Sequence, residues 1–329
     1  MQTQEWNLSK RLLRCTFVLL DGYSVVIGLV LVSGAMSFLS PVFLTSPNLL
    51  SVIRQVSVIG LLAIGETFVV LTGEIDLSVG SLVALSGVVA AMAQKAGLGL
   101  VPSIVLPLAV GGLTGAIIGV IVAKGKVPSF VVTLGVMGVA RGIALVLTNG
   151  FPISGFGENY KWIGGGEVFS IPVPMILLLI LTVVAAVVLQ QTPFGRNLYA
   201  LGGSRKAAFY SGINVDRELV KVFVLSGTFA ALGGIVLTAR LDAAETVAGL
   251  GYELSAIAAV VIGGASLSGG VGSVYGTLLG TLFIGVIANG LTLLAVSSYW
   301  QQVVQGAIIV LAVLLDQLRK RIPRGVSRT

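Results

Sequence analysis

Polar residues are sparse along this chain and arrive in short clusters between long apolar runs. Runs such as "VPMILLLILTVVAAVVL" show no polar–apolar alternation, which argues against the strands of a membrane β-barrel and predicts helices. Ten apolar segments stand out: 23–43, 56–72, 77–93, 103–123, 128–147, 168–189, 220–239, 252–266, 272–295 and 302–316. Several are shorter than the ~20 residues a straight helix needs to cross ~30 Å of hydrocarbon. Short, glycine-broken spans persist only where protein covers them, so the pattern predicts a compact bundle with discontinuous helices. The expected fold is an all-α polytopic membrane protein of about ten transmembrane helices, with glycine-rich breaks and a possible internal repeat.

Composition and charge refine that picture. The 329 residues are 56% hydrophobic and 10% charged, with 44 glycines and a mean hydropathy of +1.03. There is no histidine, which removes His-based acid–base catalysis and a histidine proton relay. The single cysteine, Cys15, excludes an intramolecular disulfide framework. The formal charge of +7 follows topology rather than a nucleic-acid patch. With the N-terminus inside, ten crossings put fifteen of the 20 Lys and Arg in inner segments, around Lys10–Arg14, Lys124–Lys126, Arg196–Lys221 and Arg319–Arg328. The expected organisation is a cytoplasmic N-terminal segment 1–22, a transmembrane domain 23–316 with a large cytoplasmic loop 190–219, and a basic cytoplasmic tail 317–329. The apolar run from Tyr23 to Phe43 is too long for a typical signal-peptide core, so it is expected to remain as the first helix.

Two clusters interrupt the apolar pattern in related ways. In "VLTGEIDLSVGS", Val70 to Ser81, Gly73 is placed to end one helix in the left-handed conformation, and Asp76 or Ser78 to cap the next just before Gly80. Glu74 and Asp76 are then expected to stay hydrated or to accept amide hydrogen bonds, since an unpaired buried charge is costly. "GGASLSGGVGS", Gly263 to Ser273, separates two further runs, and "LSVGS" at Leu77 aligns with "LSGGVGS" at Leu267, as a duplicated hairpin would. Inside the spans, Glu66 and Arg141 are the intramembrane charge candidates, as a structural pair or as functional groups. No catalytic or metal-ligating set is identifiable, and no G-x-x-x-x-G-K-[ST] run is present to hold ATP.

"LTGEIDLSVGS" (Leu71–Ser81), "KVPSFVVTLGVMGVARGIALVLTNG" (Lys126–Gly150), "TPFGRNLYALGGSRKAAFYSGI" (Thr192–Ile213) and "GYELSAIAAVVIGGASLSGGVGSVYGTLLG" (Gly251–Gly280) resemble, in the same order, the permeases of carbohydrate-uptake ABC transporters of the ribose, xylose, arabinose and galactose group. The chain departs from the usual pattern at Glu74, where a second Gly is common, at "VPSF" (Val127–Phe130), and at Ser204, where Asn is commoner. The resemblance implies a permease homo- or heterodimer on two cytoplasmic ATP-binding domains, receiving sugar from an extracytoplasmic binding protein. It also implies a multi-pass protein of the bacterial inner (plasma) membrane with both termini cytoplasmic. This chain would bind no cofactor, ATP and Mg belonging to the partner ATPase, and it would be no enzyme and have no nucleic-acid partner.

Within the large inner loop, Gly202 and Gly203 are expected to turn the chain, Ser204 to cap one or two helical turns over Arg205–Tyr210, and Gly212 to end them. A helix that short needs a surface to lie on. Ala207 and Ala208 allow close approach, Phe209 and Tyr210 supply apolar area, and Arg205 and Lys206 can meet acidic groups, so this is the expected ATPase-coupling element. Thr67, Thr72, Thr133, Asn149, Asn289 and Thr292 are neutral groups available to sugar hydroxyls. Phe156, Tyr160 and Trp162, with Arg240, Asp242 and Glu245 in the next external loop, are candidates to receive the binding protein. The alternative to an ATP-driven permease is an ion-coupled secondary transporter using Glu66, Arg141 or a backbone break. A membrane-embedded enzyme would need a paired nucleophile and base, and none is present in the spans.

Overall fold

The computed structural model describes residues 24–321; the N-terminal segment 1–22, with Cys15, and the end of the basic tail lie outside them. Each of the ten apolar segments becomes one helix. Six are long enough to cross a membrane: α2 (Ser46–Leu71), α4 (Leu100–Gly125), α5 (Ser129–Thr148), α7 (Val173–Gln191), α10 (Val215–Leu241) and α12 (Val274–Leu293). Four apolar helices have shorter apolar stretches: α1 (Ser24–Leu39), α3 (Val79–Lys95), α11 (Tyr252–Ile262) and α13 (Ser298–Arg321). Three more helices, α6 (Glu158–Gly165), α8 (Pro193–Gly203) and α9 (Arg205–Tyr210), occupy the two long connections.

α10 lies at the centre, packed on α2, α3 and α4, and most of its residues are buried. Its seam with α4 is a contact of backbones. Gly111, Gly115 and Gly119 fall one turn apart on α4, and a Cβ added to any of them would strike the α10 backbone near Gly227, Phe223 or Val220. Polar side chains join other helices. Asn48 and Asn289 exchange amide hydrogen bonds at 3.1 and 2.8 Å between α2 and α12, and Thr67 meets Thr277 at 2.8 Å. Thr72 bonds the Val69 carbonyl, Thr133 the Ile75 and Phe130 carbonyls, and Thr292 the Ala288 carbonyl. Most of the neutral groups expected to meet a sugar are therefore spent on the protein itself; Asn149 instead takes the left-handed C-cap of α5.

The connections predicted to be external do assemble together. Strand β1 (Ile153–Ser154) pairs antiparallel with β4 (Ala243–Ala244), and β2 (Glu167–Val168) forms a hairpin with β3 (Ile171–Pro172). Arg54, near the start of α2, bonds Glu167 at 2.6 Å, and Lys95, at the end of α3, donates to the Gly155 carbonyl at 3.0 Å. At the opposite end Lys126 pairs with Asp216 at 3.2 Å. The aromatic expectation for the outer loop needs correcting. Phe156 and Tyr160 are buried against each other, edge to face with centroids 5.4 Å apart, and only Trp162 of the three is exposed. Asp242 is engaged too, accepting the Phe156 amide at 2.9 Å.

Candidate functional site

The two glycine-rich interruptions have the same construction. After α2, the Gly73 amide reaches the Val70 carbonyl and the Glu74 amide the Val69 carbonyl, with Gly73 at φ +78. After α11, the Gly264 amide reaches Val261 and the Ala265 amide reaches Val260, with Gly264 at φ +92. Both are complete Schellman caps, closed on "VVLTG" and "VVIGG". The same cap closes α9 and other helices, so it does not by itself mark a duplicated unit, and the second interruption, 263–273, is longer than the first, 72–78.

Beyond the first cap the chain turns back into the protein. Asp76 is fully buried: Oδ1 accepts the Ser78 amide at 2.9 Å and the Ser78 hydroxyl at 2.6 Å, and Oδ2 accepts the Ser226 hydroxyl of α10 at 2.7 Å. Neither residue caps α3 as expected: Ser78 sits at the N-cap position without a side-chain bond to a helix amide, and Asp76 instead holds the Ser78 amide and hydroxyl just ahead of the helix. Of the two expected states, hydration or acceptance of amide hydrogen bonds, Asp76 takes the second, with hydroxyls from two elements in the place of water. Glu66 of α2 accepts the Asp76 amide at 3.1 Å through Oε1, and its buried Oε2 has no hydrogen-bond partner. Glu74, almost buried, forms an ion pair with Arg205.

That ion pair brings in the cytoplasmic loop. α8 starts on a Thr192 cap and runs through Gly203, so Gly202 and Gly203 end a helix rather than forming the expected turn. A Cβ on Gly202 would fall on the Leu71 carbonyl and the Gly270 amide, which bond each other at 2.9 Å. The Tyr199 hydroxyl adds a bond to the Gly272 carbonyl at 2.9 Å. Three segments distant in sequence thus meet with their backbones in contact: 71–74, 199–205 and 269–272.

α9 follows directly, and its local design matches its sequence. Ser204 Oγ accepts the Ala207 amide at 3.3 Å, and Gly212, at φ +83, closes a Schellman cap with Ile213. Ala208 packs inward and is buried, whereas Ala207 and Lys206 are exposed. Phe209 is 65% exposed and Tyr210 84%, held edge to face with centroids 5.8 Å apart. Burial lowers the pKa of the Arg205 guanidinium, yet arginine remains charged at any ordinary pH and keeps its hold on Glu74.

Arg141 stands apart from Glu66. It is twelve residues into α5, ~18 Å along the helix at 1.5 Å per residue, and donates to the Thr246 and Ala248 carbonyls at 2.6 and 2.8 Å. The segment 242–251, predicted as an external loop, therefore folds back to roughly the middle of the bundle. Gly80 sits against Gly249 and Glu253 there, so α3 and α11 both begin at that depth. Among the described residues no group of three or more Cys, Asp or Glu side chains is placed to hold a metal.

Residues 48–313 match the family profile described as branched-chain amino acid transport system / permease component. The chain is 48% identical to the ribose import permease protein of Bacillus subtilis over 293 residues, 88% of this chain and 91% of the relative. It is 41% identical to the D-allose transport system permease protein of Escherichia coli over 91% and 92% of the two chains. The L-arabinose ABC transporter permease protein of Azospirillum brasilense is 35% identical over 94% and 91%. No solved structure matches the chain.

Proposed function

The chain belongs to this family of transport-system permease components, and from that membership we propose that it is the permease subunit of an ATP-driven sugar importer. It is a multi-pass protein of the inner (plasma) membrane. The family profile names branched-chain amino acids, whereas relatives matching nine-tenths of this chain are named for ribose, allose and arabinose. Similarity over that length distinguishes subgroups better than a broad profile does, so a monosaccharide or related polyol is the proposed cargo. Two permease subunits would sit on two ATP-binding domains that hold ATP and Mg, and an extracytoplasmic protein would deliver the sugar.

The observation that carries this reading is the junction at Gly202. It joins the exposed α9 face to the ends of two interrupted helices through the Arg205–Glu74 ion pair and the backbone contacts at Leu71 and Gly270. A push on Phe209 and Tyr210 from a cytoplasmic partner would reach both interruptions without crossing a flexible linker. Co-expression with its neighbouring subunits tests the reading: an ATPase chain is expected to co-purify, and sugar uptake into proteoliposomes to require ATP and the binding protein. The buried, unpartnered Oε2 of Glu66 favours a second reading, ion-coupled transport. Uptake by this chain alone, driven by an ion gradient and abolished by a protonophore, would establish that instead.

The proposed orientation places α9 and both termini in the cytoplasm. In a Cys15→Ser background, impermeant thiol reagent added outside intact cells is expected to label cysteine at Ser154 or Ala243, and to spare cysteine at Ser204. Outside labelling at Ser204 would invert the orientation and remove the ATPase contact.

A further inference from the structure

α2, α11, α12 and α13 line a half-open cavity of about 150 Å³ beside the folded-back segment 242–251. Its lining carries no charged side chain, but five polar ones reach it: Gln55 of α2, Tyr252 and Ser255 of α11, and Gln301 and Gln305 of α13. Gln55 is nine residues into α2, ~14 Å from the start of that helix. It is partly exposed, lies beside Arg54, which reaches the outer hairpin, and its carboxamide has no hydrogen-bond partner among the described residues, so it is open to a polar solute in the cavity. Across the cavity Gln305 donates to the Ser255 hydroxyl, and Gln301 donates to the Val296 carbonyl at 2.9 Å. Gln301 and Gln305, four residues apart, share one face of α13.

We infer that this cavity is a low-affinity subsite for a neutral monosaccharide on the translocation path, with Gln55 and Gln305 bonding its hydroxyls. The inference rests on the sugar-importer reading and deepens it. Carboxamides and hydroxyls supply both donors and acceptors, as a polyol requires, and Tyr252 offers a ring face. A zwitterionic amino acid would need charged partners for its ammonium and carboxylate, and the lining provides none. The walls are also wired to the junction. α2 runs from Gln55 to the interruption at 72–78, and α11 runs from Tyr252 to the one at 263–273, so displacement at Gly202 would move two walls of the cavity.

The test uses the whole transporter with its ATPase and binding protein in proteoliposomes, with labelled ribose, allose and arabinose as probes. Gln55→Leu and Gln305→Leu are each expected to keep assembly and binding-protein-stimulated ATP hydrolysis. Sugar carried per ATP should fall roughly tenfold, with a changed ratio among the three sugars. Ala288→Trp, which fills the cavity from α12, should stop uptake under the same conditions and decides the matter if a glutamine variant fails to assemble. Unchanged uptake and unchanged sugar ratios in the assembled variants would overturn the subsite. Failure of the unmodified assembly to carry any of the three sugars would instead count against the importer reading itself.

Discussion

Permease carrying Phe209→Ser and Tyr210→Ser together is expected to insert and assemble normally, yet to lose nearly all of its ATPase association and uptake. The two rings leave most of their surface to solvent. Covering both would bury on the order of 200 Å² of apolar area, worth ~5 kcal/mol gross at ~25 cal/mol per Å². Association costs consume part of that, leaving a loss of about 3 kcal/mol, or more than 100-fold in affinity. The permease fold should not register the change, because the Ser204 cap, the buried Ala208 and the Gly212 cap hold α9 without either ring. Co-purification and substrate-stimulated hydrolysis read the outcome. Undiminished values for both would show that the ATPase docks elsewhere.

Asp76→Ala is expected to be the most damaging single change at the junction. Removing the carboxylate leaves the Ser226 and Ser78 hydroxyls and the Ser78 amide without their acceptor, in a site from which water is excluded. Stranded buried donors cost ~1–3 kcal/mol each, so a destabilisation of about 3–5 kcal/mol follows, lowering folded yield as well as transport. Glu74→Gly should be mild by comparison. Its partner Arg205 is about half exposed, and an ion pair of that kind is worth ~1 kcal/mol or less. Thermal unfolding in detergent and uptake by intact cells separate the two variants. Equal stability for Asp76→Ala and the unmodified protein would refute the role assigned to this carboxylate, and a collapse of Glu74→Gly would mean that the Arg205 tie carries more than its exposure allows.

Much of this architecture is present in the sequence because its cause is local. Apolar runs of 15–24 residues become helices in a medium that offers backbone groups no other partner, and all ten segments did. Gly73, Gly212 and Ser204 were legible for a similar reason: a left-handed cap favours glycine, and an N-cap wants a short polar side chain, whatever lies nearby.

What the sequence could not supply was partnership across distance. Asp76 reads as a solvated cap until Ser226, 150 residues later, replaces its water. Phe156 and Tyr160 read as docking aromatics until they pack on each other. Glu66 and Arg141 are compatible with a buried pair until the Thr246 and Ala248 carbonyls claim the guanidinium. Gln55 falls one residue outside the predicted second span, and a carboxamide beside an apolar run, with two more four apart in α13, is the sequence's signal for the cavity. Helix formation is decided within a few turns of chain, so the sequence alone determined that the spans exist, while α2 starts ten residues before its predicted segment. Which polar groups face each other, and which are left to face a solute, depends on how ten helices pack, and only the tertiary structure decided that.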